Sequence, residues 1–318
     1  MIYNTIIIGS GPAGYTAAIY TARACLNPLL FSGSEIGGQI MFTSKVENFP
    51  GFPEGVWGAK LMMDMRKQAE HFQAKIIDKK ITKVDLDNYP FKVYEGENEY
   101  LTKSLIIATG AKTVKLDLPR EDYFLGKGLS TCAVCDAAFY KDKKVYVVGG
   151  GDTALEDALA LTHFTNKINL LVRKDSLKAS KIMQSRVLDN KSIKVLWNTE
   201  LVQLLGKEKL SGLILLNNKT EEKKRVEADG VFYAIGRKPN TDLFLNKLEL
   251  NDKGYLLTKM NGLLDKNKNL ENNYLTMTSK EGVFACGDVT DWRYRQVIVS
   301  CGTACMAAID TEKWLEKL

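Results

Sequence analysis

The chain has 318 residues, 45% hydrophobic and 26% charged, which is the composition of a soluble globular protein with length enough for two domains. No apolar run approaches the roughly 18 residues that span a bilayer, and the formal charge of +6 comes from lysines scattered along the whole sequence, which argues against a membrane span and against a nucleic-acid footprint. Of the six cysteines only one pair has CxxC spacing, so neither a disulfide framework nor a four-thiolate zinc site is expected.

The first element is the apolar run at 6–8, read as a buried parallel strand. Residues 2–8 lead straight into a glycine motif and leave no room for a cleaved signal, so a cytoplasmic protein is expected. The strand enters Gly9-Ser10-Gly11-Pro12-Ala13-Gly14 and an Ala-rich helical pattern. Gly9 permits the tight turn, Gly11 lets a pyrophosphate approach the backbone, and Gly14 lets helix and strand pack closely. The helix N-terminus attracts the phosphate charge. A second apolar run at 28–31 follows, and about 20 positions beyond Gly14 stands Glu35, a carboxylate able to accept bonds from an unphosphorylated ribose. Cys25 sits in a small-residue pattern that predicts inert burial, and Met62, Met63 and Met65 read as helix packing.

The stretch STCAVCDAAFY, 130–140, places Cys132 and Cys135 three positions apart with Asp136 directly after. The pair could hold a metal, form a structural bridge or trade electrons. The two histidines, His71 and His163, lie far from it in sequence, which disfavours zinc, and no metal is expected. A second strand at 145–148 then enters Gly149-Gly150-Gly151-Asp152-Thr153-Ala154 and an amphipathic helix. Two such units suggest two dinucleotides on two doubly wound domains. After Ala154, at the distance of Glu35 from Gly14, come Arg173, Lys174 and Lys178. Cations there suit a ribose 2′-phosphate, so NADP fits better than NAD; the alternative is a solvated loop.

The lysine-rich run 207–225 reads as a hairpin with a solvated turn. Turn-rich segments at 108–110 and 236–240 look like paired crossings between domains. The strand at 283–285 returns to the first domain, and a helix with small residues follows from Arg295. Cys286, Cys301 and Cys305 sit in apolar or small-residue patterns and read as buried packing.

The ordered set GSGPAG (9–14), GGQ (37–39), VENFPG (46–51), LIIATGA (105–111), CAVCD (132–136), GGGDTA (149–154), AIGRKPN (234–240), GVFACGDV (282–289) and YRQVIVSCGTACMAA (294–308) resembles the low-molecular-weight thioredoxin reductases. It runs from residue 5 almost to the C-terminus. The resemblance implies an α/β fold of two Rossmann-like domains: a discontinuous FAD domain, 1–113 and 243–318, and an inserted NADPH domain, 117–240, that carries CAVCD. FAD contacts carry over to Gly9, Gly11, Pro12, Ala13, Gly14, Glu35, Gly38, Gln39, Asn48, Thr109, Gly110, Gly287, Asp288, Arg295, Gln296 and Val297. Asp288, following a strand, can set its carboxylate against the ribityl hydroxyls, and the helix after Arg295 can direct backbone N–H groups at the flavin pyrimidine edge. NADPH contacts carry over to Gly149, Gly151, Asp152, Thr153, Ala154, Arg173, Lys174, Lys178, Ile235 and Gly236. The family's basic segment reads His-Arg-Arg-Asp and, two residues on, Arg. This chain has Val172, Arg173, Lys174, Asp175 and Lys178, keeping the charge and losing the Arg fork at two places.

The implied activity is reduction of thioredoxin by NADPH through FAD and the Cys132/Cys135 pair, in a homodimer. The alternatives are a related flavin disulfide reductase with NADH or a glutaredoxin-like acceptor, and a non-catalytic flavoprotein with structural cysteines. In the family the second cysteine, here Cys135, faces the flavin and Cys132 attacks the substrate. Larger flavin disulfide reductases move the proton with a histidine near the C-terminus. This chain has none after His163, which leaves Asp136 as acid/base, matching the family's aspartate; its other reading is an N-cap for AAFY. The dithiol and the second glycine motif share a domain yet serve a flavin in the other, which implies an alternating rotation.

Overall fold

The computed structural model describes residues 1–42, 45–262 and 274–318. They divide into two compact units, 1–112 with 238–318, and 113–237. Residues 263–273, within the second segment assigned to FAD, lie outside the described residues.

In the first unit the strand Ile2–Ile8 lies inside a seven-stranded sheet. It pairs in parallel with Leu29–Phe31 on one side and Asn98–Ile107 on the other. Lys75–Ile77 adds beyond Leu29–Phe31. The long strand Asn98–Ile107 serves two further partners in succession: its first half pairs antiparallel with Phe91–Glu95, and residues 105–107 pair in parallel with Val283–Ala285. Successive residues alternate between two apolar clusters. Ile7, Leu30, Ile106 and Phe284 enter one, while Ile6, Ile8, Leu29, Phe31, Leu105 and Ile107 enter the other. Both faces are buried, so these strands read as continuous apolar runs.

The first cluster is covered by Pro12–Arg23, Gly58–His71 and Val297–Leu315. Small side chains (Ala17, Ala18, Ala304, Ala307) let backbones approach. Met62 and Met65 are buried there, but Met63 is 54% exposed, correcting its reading as a packing residue. One position from Met62 turns a helical side chain about 100° off the inward stripe. Cys25 is also corrected: it lies just past the first helix in a left-handed turn, φ 58°, and is exposed. Cys286 is buried, and Cys301 and Cys305 are half-buried.

The second unit has a wholly parallel five-stranded sheet, in the order Leu129–Ser130, Gly230–Tyr233, Val145–Val148, Ile168–Val172, Ile193–Trp197. Val145, Val147, Leu170 and Phe232 pack on one face, and Tyr146, Val148, Leu171 and Tyr233 on the other. A three-stranded antiparallel sheet follows, Thr199–Leu205, Gly212–Asn217 and Lys223–Glu227. The lysine-rich run forms its second hairpin, with an exposed turn at 218–222. In each unit the strand before the glycine motif sits where the strand order reverses. Its carboxyl end is the point at which open α/β sheets bind ligands.

The chain passes between the units twice, and the strands that carry the crossings, Ala111–Thr113 and Arg237–Pro239, pair with each other. Within the first unit Thr109 Oγ1 donates to the Asn240 carbonyl at 2.8 Å, and Asn240 Nδ2 donates to the Thr109 carbonyl at 2.7 Å. Within the second, Val114 N–H donates to the Gly236 carbonyl at 3.0 Å. Among the described residues no helix is long and apolar enough to cross a membrane.

Candidate active site

The first glycine loop contains two kinds of glycine. Gly9 has φ 113°, and a Cβ there would lie 2.2 Å from the Ala108 carbonyl oxygen; a Cβ on Gly14 would lie 1.9 Å from the Gly9 carbonyl oxygen. The turn itself demands both. A Cβ on Gly11 would meet nothing within 4 Å. The protein's own packing leaves that side open, as a pyrophosphate approaching the backbone requires. Pro12 takes the first helical position, where its missing N–H costs nothing.

Ser10 ties this loop to the next segment. Its Oγ donates to the Ser32 carbonyl at 2.9 Å and accepts from Gly37 N–H at 3.0 Å. A Cβ on Gly38 would consequently lie 3.2 Å from Gly11 Cα. Glu35, in the loop between, accepts from Lys112 Nζ at 2.5 Å and from Gln39 Nε2 at 3.2 Å. The last strand arrives at the same loop. Gly287 has φ 73°, and a Cβ on it would stand 2.7 Å from Ala13 Cβ. The next residue, Asp288, accepts from Ser300 Oγ through Oδ1 at 3.0 Å. Asp291 accepts from the N–H groups of Arg293, Tyr294 and Arg295 at 2.8, 2.8 and 2.7 Å, shaping the turn that leads to Gln296 and the helix starting at Val297. Asn48 Nδ2 donates to Gln296 Oε1 at 3.2 Å. Thr109 and Gly110 follow the carboxyl end of Asn98–Ile107. Within the first unit, segments far apart in sequence at 32–38, 108 and 287 thus meet the loop at 9–14.

The second glycine loop repeats the division. Gly149 has φ 148°, with a Cβ position 2.5 Å from the Ala234 carbonyl oxygen and 2.7 Å from Ala154 Cβ; Gly151 would meet nothing within 4 Å. Asp152, at the helix start, accepts from Ser180 N–H at 2.9 Å and Ser180 Oγ at 2.8 Å, and Lys178 N–H donates to the Gly150 carbonyl at 2.7 Å. Thr153 follows Asp152 in the first helical turn. Arg173, Lys174 and Lys178 are exposed beside this loop. Asn218 Nδ2 fixes the Arg173 carbonyl at 2.7 Å, and Asn198 N–H fixes that of Lys174 at 3.2 Å. Ile235 and Gly236, φ 113°, stand just before the second crossing strand.

Cys132 and Cys135 are joined by a disulfide across the one-turn helix Ala133–Asp136. Between them Ala133 is buried, while Val134 is 69% exposed. Cys135 N–H donates to Cys132 Sγ at 3.2 Å and Asp136 N–H donates to the Cys132 carbonyl at 3.1 Å. Just before them Ser130, 3% exposed at the end of the edge strand, accepts from Cys132 N–H at 3.1 Å and donates to Asp136 Oδ2 at 2.6 Å. Asp136 Oδ1 is buried with no hydrogen-bond partner among the described residues. Burial pushes the Asp136 carboxyl above the usual carboxylate range, against the opposing pull of the Ser130 bond. The Tyr140 phenol is pushed up by its own burial and by the nearby Asp136 and Asp229 charges. The N-cap reading of Asp136 is corrected: it makes no side-chain cap to the 3-10 turn Ala137–Tyr140, because its carboxylate turns back to Ser130.

Ser130 is the residue that sequence reasoning missed. Its only signal is a hydroxyl two positions before the first cysteine.

A family model described as pyridine nucleotide-disulphide oxidoreductase matches residues 3–307. A thioredoxin reductase of Streptomyces clavuligerus is 46% identical, covering 100% of this chain and 95% of that protein. An NADPH-dependent thioredoxin reductase 3 of Arabidopsis thaliana is 45% identical over 99% of this chain and 59% of its own length. Among solved structures, a thioredoxin reductase from Streptococcus pyogenes matches with TM-score 0.90 and 34% identity over 100% of this chain and 99% of that one. One from Giardia duodenalis matches with TM-score 0.89 and 36% identity over 99% and 100%.

Proposed function

The chain belongs to the thioredoxin reductases of the pyridine nucleotide-disulphide oxidoreductase family, and we propose that FAD is its resident cofactor, NADPH its electron donor and Cys132–Cys135 the disulfide that passes electrons to thioredoxin. The observation that carries this reading is the disulfide itself, set beside a buried carboxylate with one unpartnered oxygen.

The residues fit both nucleotides. Gly11 and Gly151 each leave open the side on which a phosphate must approach, while Gly9, Gly14 and Gly149 shape the turns. The 1–113 and 243–318 segments would hold FAD. There Gly9 to Gly14 would bind the pyrophosphate, Glu35 with Gly38 and Gln39 the ribose, and Asp288 the ribityl hydroxyls. Asn48, Thr109, Gly110, Arg295, Gln296 and Val297 would hold the ring. Residues 117–240 would hold NADPH, with Arg173, Lys174 and Lys178 on the 2′-phosphate. When bound, the two cofactors supply hydride and two-electron transfer.

The dithiol carries the electrons onward. Cys132 sulfur bonds to one sulfur of the partner disulfide while the partner's own S–S bond breaks. Asp136 takes the Cys132 thiol proton and returns it to the departing sulfur. Cys135 thiolate then displaces the partner from Cys132, restoring the disulfide, and the released thiolate takes a proton from water. The working protein in this reading is a cytoplasmic homodimer.

The test mixes the FAD-loaded protein anaerobically with NADPH or NADH, then with oxidised thioredoxin, following flavin absorbance and thiol release. Bleaching by NADPH followed by thioredoxin reduction is expected. Equal bleaching by NADH removes the donor assignment, and bleaching without thiol release removes the acceptor.

A further inference from the structure

We propose that Ser130 is a positioning residue for thiol–disulfide exchange, its hydroxyl holding Asp136 Oδ2 so that Oδ1 is the oxygen that carries the exchanged proton. The inference rests on the proposed proton-transfer role of Asp136 and assigns the residue that orients it.

A serine hydroxyl has one proton and two lone pairs. Cys132 N–H, at 3.1 Å, occupies a lone pair, so the proton is free to be donated elsewhere. Two acceptors are in reach, Asp136 Oδ2 at 2.6 Å and the Cys132 carbonyl at 3.4 Å. The shorter, charge-assisted bond is the stronger. With Oδ2 already accepting, a proton added to the carboxylate goes to Oδ1, since protonating Oδ2 sacrifices the best lone pair on the Ser130 bond. Oδ1 is also the atom with no partner among the described residues, so no bond is broken when the proton arrives. Ser130 is itself held in the sheet: it is buried, and its strand pairs with Gly230–Tyr233 at Phe232. One hydroxyl thus couples the backbone of the attacking cysteine to the proton carrier.

Among the described residues the electrostatic surroundings leave this bond as the local support of the carboxylate. Tyr140, in the following turn, senses the Asp136 charge, and Asp229 acts on Tyr140. The helix Asp152–Leu161 packs against Ala133–Asp136 and carries Asp152, bound to Ser180, an exposed Glu156 and a half-buried Asp157. Tyr233, on the paired strand, donates a hydrogen bond from its hydroxyl to Glu121 Oε1 at 2.8 Å. Arg237 Nη2 reaches the Thr131 carbonyl at 3.5 Å. After reduction the Cys132 and Cys135 sulfurs join this set. Against this background burial raises the carboxyl and Ser130 is the hydrogen bond that opposes it.

The experiment measures kcat against pH with NADPH and purified oxidised thioredoxin for wild type, Ser130→Ala, Ser130→Thr and Asp136→Asn, with NADPH bleaching of the flavin recorded for each. Asp136 must be ionised to accept the Cys132 proton, so losing the Ser130 bond moves the acid limb of kcat to higher pH by about one unit. On that limb the Ala variant is about tenfold slower. Ser130→Thr keeps the wild-type profile, and flavin bleaching is unchanged in both. A Ser130→Ala profile that superimposes on wild type overturns the proposal, as does a Ser130→Thr profile shifted like the Ala one. A hydroxyl that merely braced the Cys132 backbone would lower activity at every pH equally. An unimpaired Asp136→Asn refutes the proton role of Asp136 itself and is distinguishable from both. If Ser130→Ala does not fold, Ser130→Gly replaces it in the same comparison.

Discussion

Gly287 and Ala13 are fitted to one another: a Cβ on the glycine would stand 2.7 Å from the alanine's Cβ. The last strand of the sheet thereby brings Asp288 to the edge of the first glycine loop. Gly287→Ala is expected to overpack this contact and to strain a residue at φ 73°, lowering stability by about 1–3 kcal/mol and weakening FAD retention. Ala13→Gly in the same chain should recover the steric part and leave the backbone strain. Thermal melts and flavin content of the two single variants and the double variant check this. Additive losses would mean that the two residues are not coupled.

The two kinds of glycine should separate by experiment. Gly14→Ala places a methyl 1.9 Å from a carbonyl oxygen and should prevent folding, whereas Gly11→Ala meets no protein atom within 4 Å. The Gly11 variant is expected to fold with a normal circular dichroism spectrum and to lose FAD. Gly151→Ala should likewise fold, keep its flavin and lose NADPH binding, read by titration of the bleaching reaction.

Asp136→Asn is expected to lower turnover on thioredoxin about a hundredfold with FAD still bound. Its stability effect runs the other way. Burial raises the folded-state carboxyl above its ordinary 3.8, so folded protein holds the proton more tightly than unfolded protein. The stabilisation from protonation is full below 3.8 and is lost as pH rises through the raised value. Asn does not titrate, so the variant should melt above wild type at pH 8, with the gap closing as pH falls towards 3.8. A gap independent of pH would remove the buried-carboxylate argument.

Arg173→Ala, Lys174→Ala and Lys178→Ala should each raise KM for NADPH by roughly tenfold, equivalent to about 1.4 kcal/mol, and change KM for NADH little. These side chains are exposed, so melting temperatures should stay constant. Steady-state kinetics with both nucleotides decides it, and equal rises for the two would point to a general effect on the loop.

Much of this was legible because its causes are local. A left-handed turn at Gly9 or Gly149 constrains the residue there directly, and apolar runs at 6–8 and 145–148 announce strands buried on both faces. What escaped depends on direction or distance. Met63 differs from Met62 only by its angle around a helix. Cys25 resembles a packing cysteine until the chain turns outward at φ 58°. Asp136 has the sequence position of a helix cap, yet its bond goes backwards to Ser130. Gly287 and Ala13 meet because strands remote in the chain are neighbours in the sheet, which no local pattern records.

The paired crossings at Ala111–Thr113 and Arg237–Pro239 bear on how the chain folds. The second unit has its two ends side by side, so once folded it behaves towards the first as a short loop. The ends that 112 and 238 must bring together are then already near each other. Replacing a flexible loop of residues 113–237 by a few residues spares about 3 kcal/mol of closure entropy, taking roughly 0.6 kcal/mol for each halving of length. The interrupted sheet, with Val283–Ala285 as its late-arriving strand, would assemble faster after the inserted unit than before it.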